Sequence, residues 1–164
     1  MEKNKSKRPV EADDISFQLS KEFPHSDIKW RIGRVSHTVK GTAYMLAYID
    51  ARDVQQRLDQ VVGTENWQCK HVSYGPKTIC HLGIKIKGEW IWKSDGAGDT
   101  KVEPEKGAIS DSFKRAAVHF GIGQYLYDFR KYDIWARYKE VHGYKVPDVN
   151  HCWEIYRKAK SIIS

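Results

Sequence analysis

No run of about 18 apolar residues occurs in the chain, so a membrane-spanning helix is not expected. Cysteine is scarce. Cys69, Cys80 and Cys152 are scattered and odd in number, which argues against a disulfide framework and suits a reducing interior. Proline, glycine and serine never cluster into a linker, and no internal repeat or low-complexity segment is present. No GxxxxGKS or GxxxxGKT loop occurs, so the usual cradle for a nucleoside triphosphate is missing. The charged start, Met1 to Arg8, lacks a following apolar stretch and is not expected to be a secretory leader.

What is present is a globular composition, 40% hydrophobic and 30% charged over 164 residues, enough for one packed core. The net charge of +7 favours an anionic partner, most often nucleic acid. Residues 129–164 carry 8 Lys/Arg against 4 Asp/Glu, and residues 1–128 carry 20 against 17. A nucleic-acid site in the main body must therefore come from local clustering.

The spacing predicts a short helix capped by Asp13 or Asp14, running to about Lys21 and stopped before Phe23-Pro24. Ile28, Trp30, Ile32 and Val35, with a break at Gly33, alternate as a strand. Ala43 to Ile49 is a second strand, joined to the first by a hairpin through Gly41. Asp50 opens a helix whose apolar stripe is Val54, Leu58, Val61 and Val62, and Gly63 stops it. Three strands follow: Trp67 to Tyr74, Lys77 to Lys87 and Glu89 to Lys93, punctuated at Gly75-Pro76 and Gly88. In the middle one Cys80, Leu82, Ile84 and Ile86 share a face, and Lys77, His81, Lys85 and Lys87 share the other. A two-residue turn at Gly88 puts Trp90 and Trp92 on the lysine face; a three-residue turn puts them in the core. Both remain open at this point. Ser94 to Thr100 reads as a loop. Pro104, with acidic Glu103 and Glu105, starts a helix to about Phe120, with Ile109, Phe113, Ala116, Ala117 and Phe120 as its buried stripe. The expected class is α+β, an antiparallel β-meander packed on a long helix.

Three expected domains follow: an N-terminal arm and short helix over 1–24, a core over 25–127, and a basic, aromatic extension over 128–164. In the extension, Arg130, Lys131, Trp135, Arg137 and Tyr138 are candidates for DNA or subunit contacts.

Lys106, Ser110 and Lys114 fall at i, i+4 and i+8 on one side of the long helix, and Arg115 lies about 100° around the axis. Such a row can track a phosphate backbone through charge-assisted hydrogen bonds. The surrounding aromatics, among them Trp30, Tyr48, Trp67 and Tyr125, are core or base-stacking residues.

The blocks Ile28-Lys29-Trp30-Arg31-Ile32-Gly33, Ala47-Tyr48-Ile49-Asp50-Ala51-Arg52-Asp53-Val54 and Gly63-Thr64-Glu65-Asn66-Trp67 resemble the Rad fifty-two type single-strand annealing family. So do Asp95-Gly96-Ala97-Gly98, Glu105-Lys106-Gly107-Ala108, Asp111-Ser112-Phe113-Lys114-Arg115-Ala116 and Phe120-Gly121-Ile122-Gly123. The resemblance covers about residues 25–127 and is closest to short bacterial and phage-borne members. It implies a strand–strand–strand–helix core assembled side by side into a homo-oligomeric ring. Single-stranded DNA would run along a basic groove, backbone inward and bases outward, for annealing in recombination and repair. Carried over by motif, the backbone contacts are Lys114, Arg115 and Arg31; Tyr48 matches an aromatic position close to the groove, Lys101 is a looser match to a basic groove residue, and Lys77 falls near where the family has a second, outer DNA site, while Lys106 joins the set from its helical spacing with Lys114. One further arginine of the family's helix cluster falls here on Val118.

The implied process is non-catalytic and needs no ATP, metal or other cofactor. Single-stranded DNA is the expected partner, and duplex DNA, a recombinase or a single-strand-binding protein are further candidates. The expected place is the cytoplasm or nucleoid. Three other readings compete. A Mg²⁺-dependent nuclease would use Asp95, Asp99, Glu103 and Glu105. A zinc site would use Cys69, His71 and Cys80. A passive single-strand or RNA-binding module would share the basic and aromatic residues.

Overall fold

The structure, a computed structural model, describes residues 12–98 and 104–163. In chain order the elements are α1 (Ala12–Ser20), β1 (Lys29–Val35), β2 (Thr42–Tyr48), α2 (Ala51–Val62), β3 (Trp67–Tyr74), β4 (Lys77–Ile86), β5 (Glu89–Gly98), α3 (Pro104–Val118), β6 (Trp135–Val141), β7 (Tyr144–Pro147) and α4 (Val149–Ile163). Short 3-10 segments occupy Thr64–Asn66 and Gln124–Tyr132. The chain forms two compact units. One comprises the described residues up to Lys21 with Val54–Ile122; the other comprises Glu22–Asp53 and the residues from Gly123 onward.

The first unit is the expected α+β core. β3, β4 and β5 form an antiparallel meander in that order. Along β4, Cys80, Leu82 and Ile84 are buried while Lys77 and Lys85 are exposed, the alternation of a sheet with one covered face. α3 covers the buried face: Trp67, paired with Ile84, meets Phe113 at 6.0 Å between ring centroids. The β4–β5 connection is the two-residue turn Lys87-Gly88, with φ of 52° and 83°. Positive φ at both positions matches a type I′ hairpin turn. The register that follows pairs Lys85 with Trp90 and Gly83 with Trp92, so both tryptophans stand on the lysine face.

Two expectations are corrected in the meander and its helix. Ser94 to Gly98 is not a loop but the second half of β5, paired residue by residue with His81 to Lys77. The ten-residue β4 offers its whole backbone edge, and those hydrogen bonds override the weak strand propensity of Gly and Asp. The buried stripe of α3 is Ala108, Ser112, Phe113, Ala116 and Ala117, and Ile109 is 46% exposed. Small residues let the helix sit close to the sheet, and the Ser112 hydroxyl is satisfied by donating to the Ile109 carbonyl at 3.0 Å. Gly121, at φ 91°, turns the chain away just after the helix.

α1 also starts earlier than expected. It begins at Ala12, so Asp13 and Asp14 lie inside it rather than at its cap. Its C-terminal end is tied down by Arg57 of α2, whose guanidinium donates to the carbonyls of Gln18, Leu19 and Lys21 at 3.3, 3.1 and 2.6 Å. These bonds occupy carbonyls that a helix end leaves without partners.

The second unit is a four-stranded antiparallel sheet in the order β1-β2-β6-β7. The Gly33 break is a register shift in β1: Ile32 pairs with Met45, then Arg34 with Tyr44. One extra residue there re-phases the strand. Trp30, Ala43, Met45, Ile134 and Ala136 are buried on one side, together with Cys152 and Tyr156 of α4. Phe129 stacks on Tyr156 at 4.5 Å, and Trp153 meets Trp30 edge-on at 5.2 Å. At the start of α2 the Asp50 N–H donates to Asp53 Oδ2 at 2.7 Å, the returning half of a capping box.

Candidate nucleic-acid interface

α3 carries Lys114 and Arg115 because its small residues face the sheet, which turns the adjacent cations toward the helix flank. Lys114 is half-buried and Arg115 exposed. Arg115 Nε donates to Asp95 Oδ1 at 3.1 Å, and His119 Nε2 lies 2.9 Å from Asp95 Oδ2. The strand pairing that extends β5 is what brings Asp95 beneath the helix. Burial pushes the Asp95 carboxyl up, but hydrogen bonds from His119, the Gly96 N–H and Arg115 outweigh it and hold the group below its ordinary value. Lys93, also on this face of β5, donates to the His119 carbonyl at 2.7 Å and lies 4.9 Å from the Phe120 ring centre. Asp95 thus bridges Arg115 and His119, and Lys93 holds the His119 carbonyl beside them. Asp95 engages Arg115 through Nε alone, which leaves the two terminal amino groups of the fork to meet a phosphate.

The other expected residues fall in different places. Lys106 lies in the first turn of α3. Lys101 is outside the described residues. Lys77 is exposed at the start of β4 on the sheet face opposite α3, so it does not join Lys114 and Arg115. Arg31 and Tyr48 share the face of the second unit's sheet that points away from Trp30 and Met45. Arg31 pairs with Leu46, and Tyr48 pairs with Lys29, which in turn is ion-paired to Asp50. The same face holds a cluster that sequence reading missed. Arg34 lies 5.6 Å from the centre of Tyr44 and 5.2 Å from that of Trp135, with the two rings 5.6 Å apart. The bulge at Gly33 puts Arg34 on this face, and the β2–β6 pairing puts Trp135 beside Tyr44. Only the break at Gly33 and the alternation Tyr44, Leu46, Tyr48 hinted at it.

Among the described residues no three His, Cys, Asp or Glu side chains converge as a metal site. Asp99 and Glu103 lie outside the described residues, while Asp95 is engaged by Arg115 and His119. Cys69, His71 and Cys80 do share a sheet face, with His71 paired to Cys80, and the thiols of Cys69 and Cys80 are hydrogen-bonded to each other.

The profile of the Rad52/22 family double-strand break repair proteins matches residues 11–143. The chain belongs to the Rad52/22 family. Two curated relatives carry the name single-stranded DNA-binding protein DdrA. The one from Deinococcus deserti is 37% identical over 124 residues, 72% of this chain and 59% of that protein. The one from Deinococcus radiodurans is 31% identical over 129 residues, 78% of this chain and 61% of that protein. This Rad52/22 chain therefore spans about three-fifths of the length of the relatives it matches. The family match runs through both compact units, and the basic flank of α3 and the Arg31–Tyr48 face both lie within it.

Proposed function

We propose that this Rad52/22 chain binds single-stranded DNA and promotes annealing of complementary strands in recombination and repair. The carrying observation is the flank of α3, where exposed Arg115, next in sequence to Lys114, is held by Asp95 of β5, the strand that also carries Lys93 on the same face. Such a flank takes the backbone through charge and leaves the bases free to test a second strand. Binding is driven by release of counterions, so annealing needs neither a covalent step nor ATP. The relatives' printed role in binding single-stranded DNA supports the same reading. Arg31 and Tyr48 on the sheet of the second unit, together with Lys106 and Lys101, are further DNA contacts in this reading.

Side-by-side assembly into a ring fits the meander, since β3 and β5 are both edge strands of its three-stranded sheet and carry unpaired backbone groups. A DNA partner implies a place with the nucleoid. Among the described residues no helix is long and apolar enough to cross a membrane.

The test is annealing of two complementary labelled oligonucleotides without ATP, with particle mass measured in parallel. Fast annealing by a ring-sized oligomer is the expected result. Binding without annealing makes the protein a passive single-strand binder, and Mg²⁺-dependent strand cleavage would move it to the nucleases. Lys114→Ala/Arg115→Ala should weaken single-strand binding while leaving the circular-dichroism spectrum intact. The slope of log K against log salt should shrink by about 0.7 for each phosphate contact removed.

A further inference from the structure

His119 stands directly after α3, one turn beyond Arg115, and both residues reach the same carboxylate. Its Nε2 lies 2.9 Å from Asp95 Oδ2, while Arg115 Nε donates to Oδ1 at 3.1 Å. An ionised carboxylate only accepts hydrogen bonds, so Nε2 carries the hydrogen. The other ring nitrogen, Nδ1, is then the one that takes up a proton. The backbone beneath the ring is held by Lys93, which donates to the His119 carbonyl at 2.7 Å. The imidazole itself stays 49% exposed, so a ligand on the helix flank can reach it.

The charged groups that face His119 are Asp95 and Lys93 of β5 and Arg115 of α3, with Lys114 next to Arg115 and Asp111 one turn earlier on the helix. His71 of β3 stands on the same sheet face, separated from Asp95 by Cys80. With His119 neutral, the charge of Asp95 cancels that of Arg115. A proton on His119 matches Asp95 by itself and leaves the charge of Arg115 uncancelled. Histidine is the side chain that changes charge between about pH 5 and 8. Burial works against ionisation of Asp95, but its bonds to His119, the Gly96 N–H and Arg115 outweigh it, so the carboxylate stays charged across that range.

We propose that His119 is a proton-dependent phosphate contact, which when protonated offsets Asp95, releases the charge of Arg115 and offers a further N–H to the DNA backbone. It rests on the single-strand reading above and adds to it the pH control of that site. Acid tightens strand binding in this scheme. The bound strand in turn draws a proton onto His119, because the two equilibria are linked and the coupling is reciprocal.

The test is fluorescence anisotropy of a labelled oligothymidylate on the full chain at fixed salt, from about pH 5.5 to 8.5. Thymine does not titrate in this range, so any change belongs to the protein. The unaltered protein should bind about tenfold more tightly at the acid end, the order of one charge-assisted hydrogen bond. Its slope of log K against log salt should also be steeper there, by about 0.7 per subunit engaged. His119→Gln keeps a donor for Asp95 but takes up no proton, and should bind at the weak, alkaline level at every pH. His119→Arg carries a permanent cation and should bind at the tight level at every pH. That gain at alkaline pH is an outcome that a misfolded variant cannot imitate. His71→Gln should keep the profile of the unaltered protein.

Three outcomes overturn the proposal: a flat profile for the unaltered protein, an undiminished pH dependence in His119→Gln, or no gain at alkaline pH in His119→Arg. If the unaltered protein binds oligothymidylate equally at every pH, the single-strand reading survives and this proposal alone fails. If it binds at no pH, both fail together.

Discussion

Asp95 holds two partners at once, Arg115 through one oxygen and His119 through the other. The contacts are partly exposed, so each is worth only a fraction of a kcal/mol to about 1 kcal/mol. Their sign is nevertheless clear. The folded-state carboxyl sits below its ordinary value, so its stabilising contribution is present above the unfolded pKa and is lost as pH falls through the lower folded one. Thermal melts of the native protein and of Asp95→Asn should therefore converge as pH falls from about 5 toward 2. Parallel curves across that range would remove Asp95 from the account of acid stability. The thiols offer a second case. The hydrogen bond from Cys80 lowers exposed Cys69 to about 7, whereas burial pushes Cys152 up to about 12. Cys69 should alkylate first, with a rate midpoint near neutral pH, and Cys80→Ala should move that midpoint up toward the ordinary thiol range. If Cys152 labels as fast as Cys69 in the folded protein, that ranking is wrong. At this scale the motif pointed to Lys114 and Arg115 as candidates. The carboxylate that holds Arg115 could not be read, because it lies 20 residues away in sequence and comes beneath the helix only through the pairing of β5 with β4.

At the scale of elements, periodicity carried most of the fold. The alternation in β4 and the stripe in α2 were written in one-residue patterns, and the structure follows both. The fate of Trp90 and Trp92 was not written there, because a shift of one residue at the Gly88 turn inverts the face of everything after it. The deciding feature is Lys87 at φ 52°, a left-handed conformation that lysine adopts reluctantly. Lys87→Asn should therefore stabilise the hairpin by roughly 0.5–1 kcal/mol, since Asn-Gly is the favoured pair for this turn. A denaturant midpoint that rises with an unchanged slope is the expected observation; no rise would mean the lysine is not strained. The buried face of α3 was misread for a different reason. Ile109 is the larger residue, but Ala108 and Ser112 take the inner positions, because close helix–sheet packing selects for small size over hydrophobicity.

At the scale of the whole molecule, the chain leaves the second compact unit at about Asp53 and returns to that same unit at about Gly123. Local sequence patterns cannot announce that β6, more than 80 residues after β2, will pair with it. That pairing needs the loop-closure entropy of the intervening chain to be offset by packing, and the aromatic cluster at α4 supplies it. Tyr156 is 6% exposed, stacked on Phe129 at 4.5 Å and set edge-on to Tyr132 at 5.1 Å and Trp153 at 5.6 Å. Removing a ring so placed costs about 3–5 kcal/mol, a large share of the stability of a domain this size. Tyr156→Ala should therefore strip hydrogen-exchange protection from the amides of β2 and β6, such as Met45, which donates to the Ile134 carbonyl at 2.9 Å. The amides of β4, whose side chains Leu82 and Ile84 pack in the other unit, are the internal comparison. Protection lost at Met45 first would show that the C-terminal strands and helix are held by this aromatic core. Protection unchanged at Met45 would mean that the sheet hydrogen bonds alone keep β6 in place.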